Sequence, residues 1–133
     1  MRFLRVLLIG VVGALILPAT EAHTTGKYSR PETSRARVVQ EGRASWYSRK
    51  CNGGTHTASG ETLNDWAMTA AHKTLAMGTK VRVTNLRNGR SVVLRINDRG
   101  PYIKGRIIDV TKGAAHKLGF IKAGVVPVKV EVL

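Results

Sequence analysis

Alternating apolar and polar residues along the second part of the chain predict a series of short β-strands. Apolar side chains recur at every second position, as in strands with one buried face. The pattern predicts strands at residues 42–48, 79–85, 90–97, 106–110 and 125–132. Pro127 lies within the last of them and indicates an edge or irregular position, because proline has no backbone N–H to donate to a neighbouring strand.

One helix is predicted before the last strand. Thr111 is expected to cap its N-terminus, residues 112–118 to form its body, and Gly119 to end it. A short helical turn is also expected near residues 70–73. The Asn88–Gly89 pair predicts a type I′ turn, because both residues tolerate positive φ. Short strands with a single helix indicate a small barrel rather than a helical bundle or a parallel sheet.

The first 22 residues have the pattern of a secretory signal peptide. Arg2 and Arg5 precede an apolar run over residues 6–17, and small residues then lead to Ala22. This run is shorter than the roughly 20 apolar residues that a membrane-spanning helix needs. We therefore expect export to the periplasm or cell-wall space without a stable membrane anchor, and an uncleaved anchor is the alternative.

The rest of the chain is expected to hold one domain. Residues 23–41 are polar, show little periodicity and predict a flexible leader, whereas residues 42–133 have the texture of a compact fold. The single cysteine, Cys51, cannot form an internal disulfide. We expect it to be a small core residue, and an intermolecular disulfide or a metal ligand are the alternatives.

The chain is strongly basic. It has 22 Lys and Arg residues against 8 Asp and Glu residues, which gives a net charge of +14. Such a charge indicates an anionic partner or surface. The signal peptide argues against nucleic acid and favours wall polymers or lipid headgroups, although a basic surface with no partner stays an alternative.

Acidic residues are scarce, so three carboxylates are candidates for chemistry. Asp98 follows an apolar strand and precedes Gly and Pro, so it either presents a carboxylate at a loop or only bonds its own turn. Asp109 lies between apolar residues and needs a partner, which Arg99 or Arg106 could supply as a salt bridge. Glu61 ends a loop of small residues that a ligand could approach closely.

The histidines and aromatic residues offer weaker candidates. His72 stands alone and is more often a packing residue than a catalyst, and the four histidines lack any metal-ligand spacing. Four aromatic side chains could stack on sugar rings or lie in the core: Trp46, Tyr47, Trp66 and Tyr102.

Six sequence fragments in the same order resemble the rare lipoprotein A (RlpA) family of septal-ring lytic transglycosylases. The resemblance covers residues 42–133. It rests on GRASWY at residues 42–47, TASGE at 57–61, TAAHKTL at 69–75, VTN with NGR at 83–85 and 88–90, NDRGP at 97–101 and GRIID at 105–109. It implies a mainly β fold, a six-stranded double-psi β-barrel with one or two short helices, related to the barrel of expansins.

The resemblance also implies roles for particular residues. Asp98 matches the proposed acid/base of the family, and Glu61 and His72 match positions associated with activity. Asp109 resembles the second groove carboxylate of the expansin barrels, and we expect His72 to bond a groove carboxylate or a sugar. The other expected substrate-binding residues are Asn97, Arg99, Trp46, Tyr47 and Thr57.

The implied substrate is the glycan strand of peptidoglycan, and the implied protein is a monomer without a cofactor or metal. Members of this family cleave the β-1,4 bond between N-acetylmuramic acid and N-acetylglucosamine. The muramyl C6 hydroxyl attacks its own anomeric carbon and leaves a 1,6-anhydro end. Because an internal hydroxyl replaces water, one acid can suffice: Asp98 would donate the proton and take it back, and Glu61 would stabilise positive charge or raise the pKa of Asp98.

One departure from the family keeps other functions open. Where the family often has an aspartate, three residues after Glu61, this chain has Asn64, followed by Asp65. A non-catalytic, expansin-like module that binds or loosens the wall is therefore the alternative. A basic binder of nucleic acid or membrane surfaces is a third hypothesis, which the charge alone supports.

Overall fold

The computed structural model describes residues 37–133, so the predicted signal peptide and most of the predicted leader lie outside the described residues. Six strands and two short helices follow one another along this part of the chain. They are β1 (Val39–Tyr47), α1 (Arg49–Asn52), β2 (Thr69–His72), β3 (Lys80–Asn85), β4 (Ser91–Asp98), β5 (Arg106–Thr111), α2 (Lys112–Leu118) and β6 (Val125–Val132). No helix among these residues is long and apolar enough to span a bilayer.

The six strands close into a barrel in the order β1-β5-β2-β4-β3-β6. Two neighbouring pairs are parallel, β1 with β5 and β2 with β4, and the remaining pairs are antiparallel. Parallel partners cannot be joined by a tight turn. The chain therefore crosses over twice, and residues far apart in sequence become neighbours in the sheet.

The apolar side chains of the alternating pattern fill the barrel interior. The buried core consists of apolar side chains from all six strands together with α2 and Phe120. Ala114, Ala115 and Leu118 form the predicted buried stripe of α2. Burying one Val, Leu or Ile side chain stabilises a fold by about 1.5–3 kcal/mol, so this shared interior is the main source of stability.

The predicted ends of α2 are confirmed. The Thr111 side chain accepts a hydrogen bond from the N–H of Ala114 at 3.3 Å, and its hydroxyl donates to the carbonyl of Ala67 at 2.6 Å. Gly119 ends the helix with φ of 74°. Thr111 thus connects the helix to the segment that precedes β2.

Gly113 allows this segment to lie directly against α2, and we expect Gly113→Ala to destabilise the protein. A Cβ atom at Gly113 would stand 2.8 Å from the Cα atom of Trp66, so backbone would have to move. Overpacking of this kind costs about 1–3 kcal/mol, more than the helix propensity that alanine adds. Urea unfolding monitored by circular dichroism measures the loss.

Gly54→Ala is the matched control for this prediction. Gly54 has negative φ and its nearest neighbouring atom would be 3.9 Å from the new Cβ. Equal unfolding midpoints for the two variants would show that the contact between Gly113 and Trp66 imposes no constraint.

Two local predictions are wrong. Residues 69–72 form strand β2 rather than a helical turn, because pairing with β4 and β5 outweighs local preference. A type I′ turn needs positive φ at both central residues, but of the Asn88–Gly89 pair only Gly89 has it. The Asn88 side chain instead donates to the carbonyl of Leu118 at 2.9 Å.

The position of Pro127 is irregular but not at an edge, since β6 pairs on both sides. Its carbonyl accepts from the N–H of Leu86, which directly follows the end of β3 at Asn85. The backbone N–H that Pro127 lacks would therefore point beyond the last residue of β3, where no strand pairing is lost. The first strand begins at Val39, three residues before the predicted boundary at Gly42, because pairing with β6 extends that far.

The prediction that Cys51 is buried is wrong. Its side chain is exposed on α1, a single helical turn that buries none of its residues. The Ser48 hydroxyl donates to its sulfur at 3.3 Å. Within residues 37–133, no group of three or more His, Cys, Asp and Glu side chains is placed to hold a metal ion.

Candidate active site

A row of four residues crosses four neighbouring strands and contains two of the predicted carboxylates. Ser45 on β1 pairs with Asp109 on β5, Asp109 pairs with Ala71 on β2, and Ala71 pairs with Asp98 on β4. Strands lie about 4.8 Å apart, so the Cα atoms of the two aspartates are separated by about 10 Å.

This row lies on the outer face of the barrel. Directly paired residues point to the same side of a sheet. Ala71 is buried with Tyr47 and Leu63 in a small cluster separate from the main core, whereas its neighbour Ala70 points into that core. Ser45, Asp109 and Asp98 therefore share the outer face with Ala71.

An irregularity in the pairing of β2 with β4 turns Asp98 to this face. Ala70 pairs with Ile96 and the next residue, Ala71, pairs with Asp98, so Asn97 is the extra residue of a bulge. A regular strand would alternate and place Asp98 on the same side as the buried Ile96. Bulges commonly re-aim side chains next to active sites.

Backbone amides hold Asp98 in place. Its Oδ1 atom accepts from the N–H of Ala58 at 2.9 Å and from the N–H of Arg99 at 2.8 Å. The first bond also fastens the loop of small residues to the strand end, together with a bond from the N–H of Ser59 to the carbonyl of Asn97. Asp98 thus forms the predicted turn contact and also lies on the outer face with the other residues of the row.

Asp109 is the carboxylate whose pKa is raised. Burial is the main cause, and the negative charge of Asp98 adds to it. A hydrogen bond donated by the Ser45 hydroxyl and the positive charge of Arg106 act in the opposite direction. The predicted salt bridge of Asp109 is not formed by the described residues. Arg106 affects Asp109 only by long-range electrostatic attraction, and Arg99 donates its hydrogen bonds to backbone carbonyls.

The Tyr47 hydroxyl is buried beside both aspartates. Burial together with the charges of Asp98 and Asp109 raises its pKa strongly, so the phenol stays protonated. Asp98 is close enough to this hydroxyl to contribute to the shift as a hydrogen-bond acceptor, although the pair lies outside the geometry of a fully formed bond. The buried Oδ1 atom of Asn97 has no partner among residues 37–133. Tyr47 is therefore a buried hydroxyl beneath the site rather than an exposed stacking platform.

Glu61 lies beside the row but is neutralised by Arg95. The two guanidinium nitrogens contact its oxygens at 2.5 and 2.8 Å, and Nδ2 of Asn97 contacts Oε2 at 3.5 Å. The bonds from Arg95 lower the pKa of Glu61 to about 2. Glu61 is thus ionised at neutral pH and forms an ion pair. Its pKa is set mainly by Arg95 and not by Asp98.

His72 faces away from the two aspartates, since it follows Ala71 in the strand. Its Nδ1 atom accepts from the N–H groups of Thr74 and Leu75 at 3.1 Å, so Nε2 carries the proton and donates to Gln40 at 2.8 Å. The expected bond from His72 to a groove carboxylate is therefore absent from the described residues. Burial, followed by the charges of Arg99 and Lys73, lowers its pKa.

We expect the free energy of unfolding to fall between pH 7.5 and pH 5.5, in part because of His72. Its pKa is below the value of about 6.5 in the unfolded chain, so the unfolded state binds the proton first. The stabilisation is complete above pH 6.5 and is lost as the pH falls. Urea unfolding at both pH values should show a smaller difference in His72→Gln, and an unchanged difference would contradict this role.

Three other predicted substrate-binding residues form contacts within the protein. Arg99 donates to the carbonyls of His72 and Leu75 at 3.1 and 2.6 Å. Trp46 packs against the core and donates to the carbonyl of Ile121 at 3.3 Å. Thr57 is buried, and its hydroxyl contacts that of Ser59 at 2.9 Å.

Sequence reasoning missed two residues that tune the site. Ser45 bonds Asp109, and Arg95 pairs with Glu61. Their spacing in the sequence could have identified them. Ser45 stands two residues before Tyr47 on β1, and Arg95 stands two residues before Asn97 on β4. Each of these pairs stands two residues apart in a strand, where side chains share a face until a bulge intervenes.

Comparison with known proteins identifies relatives of this barrel. Residues 39–130 match the model of a family described as lytic transglycolase. A Nostoc sp. protein named probable endolytic peptidoglycan transglycosylase RlpA is 57% identical over 101 residues, which cover 75% of this chain and 27% of the relative. The endolytic peptidoglycan transglycosylase RlpA of Neisseria meningitidis is 50% identical over 106 residues, or 80% and 44% of the two chains. The chain thus spans less than half the length of these relatives.

Two solved structures share the fold. The Streptomyces papain inhibitor superposes with a TM-score of 0.58 at 20% identity, covering 72% of this chain and 94% of the inhibitor. The expansin of Clavibacter michiganensis superposes with a TM-score of 0.57 at 24% identity, covering 72% and 50%. These likenesses concern the fold alone, and they confirm the expected double-psi β-barrel.

Proposed function

Because the chain belongs to the RlpA family of double-psi β-barrel domains, we propose that it is an endolytic lytic transglycosylase of peptidoglycan. Its substrate is the β-1,4 bond between N-acetylmuramic acid and N-acetylglucosamine, and its product carries a 1,6-anhydromuramyl end. The positive charge of the chain suits an anionic wall. We further propose export through the N-terminal signal segment to the periplasm or cell-wall space.

The observation that carries the proposal is the placement of Asp98 and Asp109 on either side of Ala71. Two carboxyl groups in different environments can divide acid and base roles. Burial raises the pKa of Asp109, whereas Asp98 is held by backbone N–H groups at a strand end. The Tyr47 hydroxyl is buried next to both carboxyl groups and acts on them from beneath the row. Ser45, Asp109 and Asp98 thus form a polar row on the outer face of the barrel.

We assign the acid role to Asp109 and the base role to Asp98. Burial and the neighbouring charge favour a proton on Asp109, which makes it the better donor. Asp98 is held by two backbone N–H groups through one oxygen, so its other oxygen can accept a proton. The sequence-based expectation gave both steps to Asp98, and the paired row supports a division between the two residues.

The reaction then needs no water. Asp109 gives its proton to the glycosidic oxygen as the bond to the muramyl anomeric carbon breaks. The C6 hydroxyl of the same sugar bonds that carbon, and its proton passes to Asp98. The departing N-acetylglucosamine gains a free 4-hydroxyl, and exchange with solvent returns the proton to Asp109. Glu61 takes no direct part in these steps, because Arg95 neutralises its charge.

Incubation of the purified protein with peptidoglycan tests the proposal. We expect soluble fragments with 1,6-anhydromuramyl ends by mass spectrometry. Reducing muramic acid ends would instead show hydrolysis.

The alternative is a wall-binding module that does not cleave. Asn64 stands where the family often has an acid, and its side-chain oxygen accepts from the N–H of Trp66 at 2.9 Å. That position is therefore used for local structure here. Binding to insoluble wall without any released anhydro product would select this alternative.

A further inference from the structure

An open cavity of about 520 Å³ lies on the barrel surface apart from the two aspartates. Its walls carry one apolar, one aromatic and four polar side chains: Arg49, Thr62, Leu63, Asn64, Asp65 and Trp66. Leu63 also belongs to the cluster with Tyr47 and Ala71 that lies under the candidate active site. Leu63 therefore belongs both to the cavity wall and to the cluster under that site.

Trp66 forms a fixed aromatic surface in this cavity. Its ring stacks on His116 at 5.7 Å between centroids, and Nζ of Lys112 lies 5.8 Å from the ring centre. Both neighbours belong to α2, and Trp66 stays 62% exposed. Its backbone is fixed by the contact with Gly113 described above. An indole held in this way presents a flat apolar surface to solvent without needing to be ordered by a ligand.

The polar side chains around the indole have spare hydrogen-bonding capacity. Asp65 uses Oδ1 to accept the backbone N–H of Arg49 at 2.8 Å, and Asn64 uses Oδ1 to accept the N–H of Trp66. The second oxygen of Asp65 and the amide nitrogen of Asn64 have no partner among residues 37–133. The guanidinium of Arg49 likewise forms no salt bridge with them.

The segment that carries the cavity is bonded to β5 close to Asp109. Ala67, next to Trp66, accepts the hydroxyl bond of Thr111, which stands two residues beyond Asp109 on β5. Two residues of a strand span about 6.6 Å. A glycan bound across the row can therefore extend over the indole.

We infer that Trp66 and this cavity form a sugar-binding subsite that holds one pyranose ring of the glycan strand beside the cleaved bond. The apolar C–H face of the ring packs on the indole, whose face carries negative charge density. Hydroxyl or acetamido groups of the sugar bond Arg49, Asn64 and Asp65 in the manner of a mixed apolar and polar ligand site. The identity of the glycan rests on the proposed function, whereas the stacking surface does not.

Tryptophan fluorescence tests this subsite, because Trp46 and Trp66 are the chain's two tryptophans. The Asp98→Asn protein is titrated with peptide-free glycan strands, so that cleavage does not obscure binding. We expect a saturable change in emission. Adding Trp66→Ala should remove that change and weaken binding, measured by calorimetry, by about tenfold or more. Trp66→Phe should restore part of the affinity.

The control is Leu86→Ala, which removes an exposed apolar side chain from the loop between β3 and β4 and should leave affinity unchanged. Equal affinity with and without Trp66, or no binding by either protein, would overturn the subsite. Loss of binding in Arg49→Gln but not in Trp66→Ala would also overturn it, in favour of a site for anionic groups. Binding that depends on Trp66 without any anhydro product would refute the proposed activity and leave the subsite standing.

Discussion

Replacing Asp98 with Asn is expected to reduce the release of 1,6-anhydromuramyl products by about 10²–10⁴-fold, the usual contribution of general acid–base catalysis. The amide oxygen of Asn can still accept from the N–H groups of Ala58 and Arg99, so the strand end should keep its shape. What the variant loses is an oxygen able to take the proton of the C6 hydroxyl. Mass spectrometry of soluble fragments at fixed times measures the rate.

Glu131→Gln is the matched control for Asp98→Asn. Glu131 is a carboxylate on β6 that is paired with Lys129 at 2.7 Å and lies outside the row. The control should release product at the wild-type rate. A rate for Asp98→Asn within threefold of wild type would remove Asp98 from the chemistry.

Replacing Asp109 with Asn should cause a loss of the same order, because the amide has no acidic proton that it can transfer to the glycosidic oxygen. The pH dependence then separates the two aspartates. An acid works only while protonated, so wild-type activity should fall as the pH rises through the pKa of Asp109. Burial and the charge of Asp98 raise that pKa, which places the fall at a higher pH than an ordinary aspartate would give.

Two variants should move this fall in opposite directions. Ser45→Ala removes a bond that lowers the pKa of Asp109, so the fall should shift to higher pH. Asp98→Asn removes a negative charge that raises it, so the fall in any residual activity should shift to lower pH. Initial rates measured from pH 4 to pH 9 show both shifts, and shifts in the same direction would contradict the assignment to Asp109.

The sequence predicted the elements whose pattern is local. The alternation of Val126, Val128 and Val130 and the capping signals around α2 are visible within short windows, and the structure confirms them. Strand β2 was not predictable in this way. Its four residues, Thr69–His72, are all buried, so they show no alternation, and they are strand only because β4 and β5 pair on either side.

The site was predictable as a set of residues but not as a geometry. Asp98 and Asp109 were both identified, yet their arrangement across Ala71 depends on a bulge and on parallel pairing between distant segments. The same dependence explains why His72 does not bond a groove carboxylate. One residue further along β2 than Ala71, it points to the opposite side and bonds Gln40 instead.

The row from Ser45 to Asp98 has a consequence for how the protein acquires activity. Its four members come from segments that meet only when both crossovers have formed, and such long-range topologies fold slowly. No single hairpin contains the two aspartates, because they come together only when β2 has paired with both β4 and β5. The carboxylate pair is therefore a property of the tertiary fold and of no local element, so a partly folded chain that lacks the pairings of β2 would not hold it.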